Sequence, residues 1–390
     1  MKTSASGAAL RLRAMALFDE YLNLKDFRRT HWLARLRCDE PPELTAVVDA
    51  LVAADRDTDG RLEHGVPDFT LSNVRATAMT GMLGSRLGPW QIESAIGHGR
   101  VGAVYRAHRV DGLLEHPCAL KVVQIEMDET NARDRFRVGP KQLARLAHPN
   151  IAAFLGSGME GGTTHWFAME LVQGEPIDVY CTRKKLTIKS RVRLMMAVAD
   201  AVCYAHSRLV VHRDIRPSNL LVTAEGNVKL LDVGISALLA ERLIPERRLA
   251  NHGAKPRFAA PEQLKGGFVT TGIDIYALGL ILHLLLCGQH AFDHVTLAIS
   301  YMDNVAPRYI PGQMSRVARV MRREEAATWW SSPRLLARSL KGDLDAIVAR
   351  CLKTDPADRY ATADELKNDL AAWFDMHPVI AWPWGIQRRL

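Results

Sequence analysis

His212-Arg213-Asp214-Ile215-Arg216-Pro217-Ser218-Asn219 decides how this sequence is read, together with Leu230-Leu231-Asp232-Val233-Gly234, whose acid lies thirteen residues beyond Asn219. Between them stands an apolar, strand-like run, Leu220-Leu221-Val222. A tight loop leading into a short hairpin returns the chain to its start, which brings Asp214, Asn219 and Asp232 to one mouth. One carboxylate can then orient a hydroxyl nucleophile, while an amide oxygen and a second carboxylate hold Mg²⁺ against phosphates; phosphoryl transfer requires those parts. The bland account is two turn carboxylates with no shared task.

Upstream, Gly97-His98-Gly99-Arg100-Val101-Gly102-Ala103-Val104-Tyr105 has G-x-G-x-x-G-x-V spacing. Glycines let backbone amides approach phosphates with no Cβ in the way. Alone, such a run could be a dinucleotide-binding turn, but that turn opens a helix, whereas here β-type residues stand on both sides. A second strand, Cys118 to Val123, carries Lys121. Asp128 to Ala147 reads as a helix ending at His148-Pro149-Asn150-Ile151, and Trp166 to Val172 as a buried strand. Residues 187–208 read as a long helix with Val192, Leu194, Met195, Val198, Ala199, Val202 and Ala205 in the core. Ile275 to Cys287 reads as a buried helix, too short to span a bilayer.

In this order the motifs resemble those of the eukaryotic-type (Hanks-type) serine/threonine protein kinase family, in its bacterial branch, over roughly residues 88–382. The resemblance implies an α+β, bilobal fold: a small antiparallel β lobe over residues 89–172 and a large helical lobe over 173–376. A helical extension (1–66) and a linker (67–88) precede them, and a tail (377–390) follows. It also implies ATP and Mg²⁺. Nucleotide contacts fall to Ile96, Gly97, Gly99, Gly102, Val104, Ala119, Lys121, the gatekeeper Met169, hinge residues Glu170 and Val172, and Leu221. Catalysis falls to Asp214, Lys121, Arg216 and Asn219, and the metal to Asn219 and Asp232. Asp274 matches the acid that braces the catalytic loop. Arg359, in Asp355-Pro356-Ala357-Asp358-Arg359-Tyr360, matches the partner of Glu262 in Ala260-Pro261-Glu262.

Several positions depart from the family pattern. The helix glutamate that should pair with Lys121 falls at Gly139, followed by Pro140, which predicts a broken helix with Asp134, Glu126 or Glu129 as substitutes. Lys255 replaces a threonine, Arg216 a lysine, and Val233 the middle Phe. From Asp232 to Glu262 the only Ser or Thr is Ser236, so the segment is expected to order without phosphorylation, with Glu241 or Glu246 opposite Arg213. The resemblance therefore implies transfer of the ATP γ-phosphoryl group to Ser or Thr of a protein substrate. The alternative is a pseudokinase, a nucleotide-binding interaction module.

Composition fits this class. The chain has 390 residues, is 48% hydrophobic and 24% charged, and carries a net charge of +8 with Lys and Arg spread along it, which points away from a nucleic-acid binder. Six scattered cysteines suggest free thiols in a reducing compartment. With no membrane-length apolar run, the expected location is cytoplasmic, export as an effector staying open. Asp55-Arg56-Asp57-Thr58-Asp59-Gly60 matches half of a calcium loop, but Val66 stands where the bidentate Glu belongs. The stretch Pro307 to Lys341 is basic and holds Trp329-Trp330, a packing or partner element.

Overall fold

The computed structural model describes scattered positions between residues 17 and 49, and then residues 82–98, 102–113, 116–124, 142–235, 257–292, 313–326 and 332–381. The chain forms two compact units, Met1–Gly81 and Met82–Leu390. In the first, helical positions bury Leu17, Leu33, Leu36, Leu44 and Val48 against one another, and Arg37 grips Asp49 through two hydrogen bonds.

The second unit opens with a six-stranded antiparallel sheet. Its strands are β1 (Arg86–Leu87), β2 (Trp90–His98), β3 (Ala103–Arg109), β4 (Cys118–Gln124), β5 (Phe154–Glu160) and β6 (Thr164–Glu170), in the order β1-β2-β3-β4-β6-β5. Side chains alternate between faces along a strand, and residues paired across strands share a face. The register therefore sorts the sheet in two. Tyr105, Ala107, Leu120, Val122, Trp166 and Ala168 form one core with Leu87, Trp90 and Ile92. Ala119, Val123, Phe167 and Met169 face the other way and join the core of the helical lobe. Lys121 lies on this second face, opposite Val104 and Phe167.

Two boundaries move. Residues 67–88 read as a linker, yet Arg86–Leu87 is an edge strand paired with Gln91 and Trp90. A two-residue strand has no periodicity to read, and the signals are instead Gly84 and Gly88, both at positive φ. Likewise, residues 377–381 read as part of a tail, but Val379 is buried in the main core, and the Ile380 amide donates to Asp369 at 2.7 Å.

The large lobe holds α1 (Ile177–Arg183), α2 (Ile188–Ser207), α3 (Pro261–Leu264), α4 (Gly272–Cys287), α5 (Met314–Val320), α6 (Arg323–Ala326), α7 (Pro333–Leu340), α8 (Asp343–Cys351) and α9 (Ala363–Phe374). It also holds a small sheet, β7 (Gly174–Pro176), β8 (Leu220–Thr223) and β9 (Val228–Leu230). α2 begins where expected because the Thr187 hydroxyl accepts from the Ser190 amide. Its core face is the predicted one except that Leu194 is only half-buried, and Arg191, a residue the periodicity leaves out, is fully buried. The Arg191 guanidinium donates to the carbonyls of Leu186, Leu285 and Cys181, and burial lowers its pKa to about 10. α4 is buried on every side, so it shows no amphipathic face. Among the described residues no helix is long and apolar enough to cross a membrane. The described cysteines are free thiols; burial raises Cys118 to about 12 and Cys181 to about 11.

Candidate active site

The loop His212–Asn219 is held from below by one buried carboxylate. Asp274, near the start of α4, accepts the His212 amide at 2.8 Å, the Arg213 amide at 2.9 Å and the His206 ring at 2.8 Å. Three donors on one carboxylate offset its burial. They also fix Arg213 at φ +70, a conformation that costs a non-glycine residue of the order of 1 kcal/mol. Gln263 closes the loop by donating to the Arg213 carbonyl at 2.8 Å. The His212 ring receives the Asp214 amide on Nδ1 at 3.3 Å and donates from Nε2 to the Leu231 carbonyl at 2.8 Å. Those partners set its tautomer and tie Asp214 to the residue before Asp232.

The hairpin predicted after this loop is β8–β9, with Leu220 opposite Leu230. The Leu231 amide donates to the Asn219 carbonyl at 2.9 Å, which aligns the strand entry with the Asp232 turn. Asn219 Nδ2 donates to the Asp214 carbonyl at 2.7 Å and to its carboxylate at 3.3 Å. Both bonds use the amide nitrogen, so the amide oxygen keeps its lone pairs for another partner. Asp232 sits at φ +58, and its Oδ2 accepts from Lys121 Nζ at 2.6 Å, the two side chains being 17% and 9% exposed. The structure thus forms two bonded pairs, Asp214–Asn219 and Lys121–Asp232, joined through Leu231.

The remaining nucleotide candidates fall on the same side of the sheet or on the strands below it. Gly97 pairs with Val104, and Val104 with Lys121; Ala119 is buried opposite Met169. Gly102, at φ +95, lies so close to the Val122 carbonyl that a Cβ would stand 2.1 Å from its oxygen. Ile96 is 47% exposed, and Val172 and Leu221 are half-buried. Gly99 lies outside the described residues. Strand β6 ends at Glu170, so Val172, read as strand, belongs to the connection. The Glu170 carboxylate is occupied: it accepts the Ala153 amide at 3.0 Å and pairs with Lys229 at 2.9 Å. The Glu170 amide is occupied too, donating to the Ala153 carbonyl at 2.8 Å. Arg216 Nε donates to Ser218 Oγ at 2.7 Å.

Sequence reading missed His206, Lys229 and Gln263. His206 lies six residues before His212 at the end of α2, a polar residue on an otherwise apolar helix face. Lys229 lies three residues before Asp232 on a strand. The Glu262–Arg359 pair forms as expected: Arg359, fully buried at its side chain, donates to both Glu262 oxygens at 2.7 and 2.8 Å. Gly139-Pro140, Lys255, Ser236, Glu241, Glu246, the Asp55–Gly60 stretch and Trp329-Trp330 lie outside the described residues. Among the described residues no three His, Cys, Asp or Glu side chains cluster as a metal cage. A Mg²⁺ ion held by one carboxylate, one amide oxygen and substrate phosphates needs no such cage, and Asp232 with Asn219 could supply that oxygen set.

Residues 90–371 match the protein kinase domain family. The chain belongs to that family. Among its relatives, the serine/threonine-protein kinase PrkC of Bacillus subtilis is 29% identical over 300 residues, covering 75% of this chain and 42% of PrkC. The serine/threonine-protein kinase PksC of Streptomyces coelicolor is 28% identical over 304 residues, 75% of this chain and 50% of that protein. PknB of Mycobacterium tuberculosis, also a serine/threonine-protein kinase, is 27% identical over 290 residues, 72% and 42%. The chain spans about half or less of the length of these relatives, and the bilobal kinase fold accounts for the shared part.

Proposed function

We propose that this kinase transfers the γ-phosphoryl group of ATP to Ser or Thr hydroxyls of a protein substrate. The observation that supports this reading is the pairing of Asp214 with Asn219 and of Lys121 with Asp232, the two pairs joined through Leu231. The names of the relatives, all serine/threonine-protein kinases, support it.

In this reading each residue has a separate task. Asp214 accepts a hydrogen bond from the substrate hydroxyl and points its oxygen at the phosphorus; the proton passes toward the carboxylate as the new P–O bond forms and the bond to the leaving ADP oxygen breaks. Lys121 shares its ammonium between Asp232 and the nucleotide phosphates. Asn219 and Asp232 would hold Mg²⁺, which neutralises charge on the phosphate oxygens. Arg216 adds positive charge beside the transferred group, with a guanidinium's planar geometry in place of an ammonium. Met169 closes the back of the adenine site, and the backbone of Glu170–Val172 meets the base.

The test is incorporation of labelled phosphate into the protein or an added protein mixture with ATP and Mg²⁺, with Asp214→Ala beside it. The expected loss is roughly 10³-fold or more, since one positioned acid–base group contributes 10²–10⁴-fold. Equal incorporation by the two proteins would remove the enzyme reading.

A further inference from the structure

Cations are scattered along the whole sequence, but their excess over acids is not. Residues 313–341 hold seven Arg and Lys against two Glu, a balance of +5 within a chain whose total is +8. In the structure this segment is α5, α6 and α7, with α5 and α7 packed side by side. Their apolar residues, among them Met314, Val317, Leu336 and Leu340, face the main core. The opposite faces carry the charge. On α5, Arg316 and Arg319 stand at i and i+3, and Arg323 opens α6 beyond an extended break at Met321. On α7, Arg334 and Arg338 recur at i and i+4, and Lys341 follows the helix end in an extended conformation. All six are exposed, and none makes an ion pair with another described residue. Asp345, an acid beyond α7, is turned inward to accept the Ser315 amide at 3.1 Å. Two aliphatic side chains stand exposed within the same faces: Val320 at 77% and Leu335 at 59%.

We propose that the outer face of α5–α7 is a docking surface for an acidic protein segment, separate from the phosphotransfer cleft. Cations on the exposed faces of two packed helices, continued by Arg323 and Lys341, fit a partner that presents carboxylates in series. Five of the six are arginines, whose planar fork takes a carboxylate bidentately. Val320 and Leu335 give the surface apolar ground for a partner's side chain, which a run of phosphates would not use. The assignment of that partner as a substrate rests on the phosphotransfer reading above; the docking itself does not. An acidic region of the substrate held here would raise the local concentration of its Ser or Thr at the cleft.

The experiment uses the full chain and a quadruple variant, Arg316→Gln, Arg319→Gln, Arg334→Gln and Arg338→Gln; all four side chains are exposed, so folding should persist, with matching thermal melts as the check. Binding of a fluorescent peptide of ten Glu and Asp residues with one central Leu is followed by anisotropy at two salt concentrations. The expected result is salt-sensitive binding by the parent chain and at least a tenfold loss in the variant, a readout that needs no transfer activity. With casein as an acidic substrate, KM should rise at least fivefold at unchanged kcat, while KM for ATP stays the same. Equal peptide binding by both proteins would overturn the proposal. So would binding of phosphatidylglycerol vesicles or of duplex DNA that is lost in the variant while the peptide fails to bind, since the surface would then serve a membrane or a nucleic acid. If peptide binding is lost as expected but neither protein incorporates phosphate, the docking surface stands and the phosphotransfer reading falls.

Discussion

Asp232 occupies the left-handed region at φ +58, where asparagine is among the best tolerated residues. Asp232→Asn therefore removes a charge without unseating the turn. The expected outcome is a loss of Mg-nucleotide affinity of roughly tenfold or more, with much less change for nucleotide in excess chelator, measured by calorimetric titration. The same loss with and without Mg²⁺ would deny Asp232 a metal role. Asp178, near the start of α1, makes a different point. One of its oxygens is buried with no hydrogen-bond partner, and desolvation raises its pKa above the ordinary carboxylate value. The folded protein then holds this proton to higher pH than the unfolded chain does, so the stability it contributes is complete at acid pH and lost as pH rises through the raised pKa. Asp178→Asn should stabilise the protein at pH 7–8 by about 1 kcal/mol and by progressively less toward pH 4, seen in thermal melts. A constant gain at all pH values would remove the titration argument. At this scale the sequence was informative for polar residues in motifs: Asp274 and Arg359 have the bracing contacts expected of them, and Asp214 and Asn219 lie on one loop, linked through His212 and Leu231 to Asp232. It was silent on Asp178 and Arg191, because burial of a lone polar residue depends on neighbours supplied by distant elements.

The strands β2 and β3 meet at the glycine-rich loop, and two of its glycines serve unlike purposes. A Cβ on Gly97 would meet nothing within 4 Å, whereas one on Gly102 would stand 2.1 Å from the Val122 oxygen, on a backbone at φ +95. Gly102→Val should thus break the β3–β4 pairing locally and lower the melting temperature. Gly97→Val should leave the melting temperature within error and weaken ATP binding, since its open space is where phosphates would approach. If Gly97→Val changes stability rather than nucleotide affinity, the loop is not a phosphate cradle. Continuous apolar runs in Cys118–Val123, interrupted only by Lys121, and in Trp166–Met169 made these strands readable. The pairing order β4-β6-β5 and the edge strand β1 were not, since neither leaves a local signature. For the helices, periodicity located α2 closely, and α4 was legible by its continuous apolar run rather than by any face.

The whole molecule depends on a few buried long-range polar anchors, Arg359 among them. Its guanidinium donates to Glu262, Gly272, Lys353 and Thr354, tying the segment before α9 to α3 and α4. Removing it leaves a carboxylate and several carbonyls unpaired, so Arg359→Met should destabilise by about 3–5 kcal/mol, read by chemical denaturation. A loss under 1 kcal/mol would show that solvent or another cation takes its place. Family order made the bilobal architecture legible, but the joint between the lobes was not. The segment leading into β5 is bonded to the large lobe: Ala152 donates to Leu230, Leu230 to Asn150, Asn150 Nδ2 to Val228, and His148 to Asp200. The chain also crosses between lobes at Leu171–Gln173. Two fastenings on one side of the cleft act as the pins of a door. The Lys121–Asp232 bond is the latch opposite them, so the edge expected to swing most is the glycine-rich one. Amide exchange should accordingly stay slow at Ala152 and Leu230, on the axis, while amides around Gly97 and Gly102, at the door's free edge, exchange quickly until nucleotide shuts it.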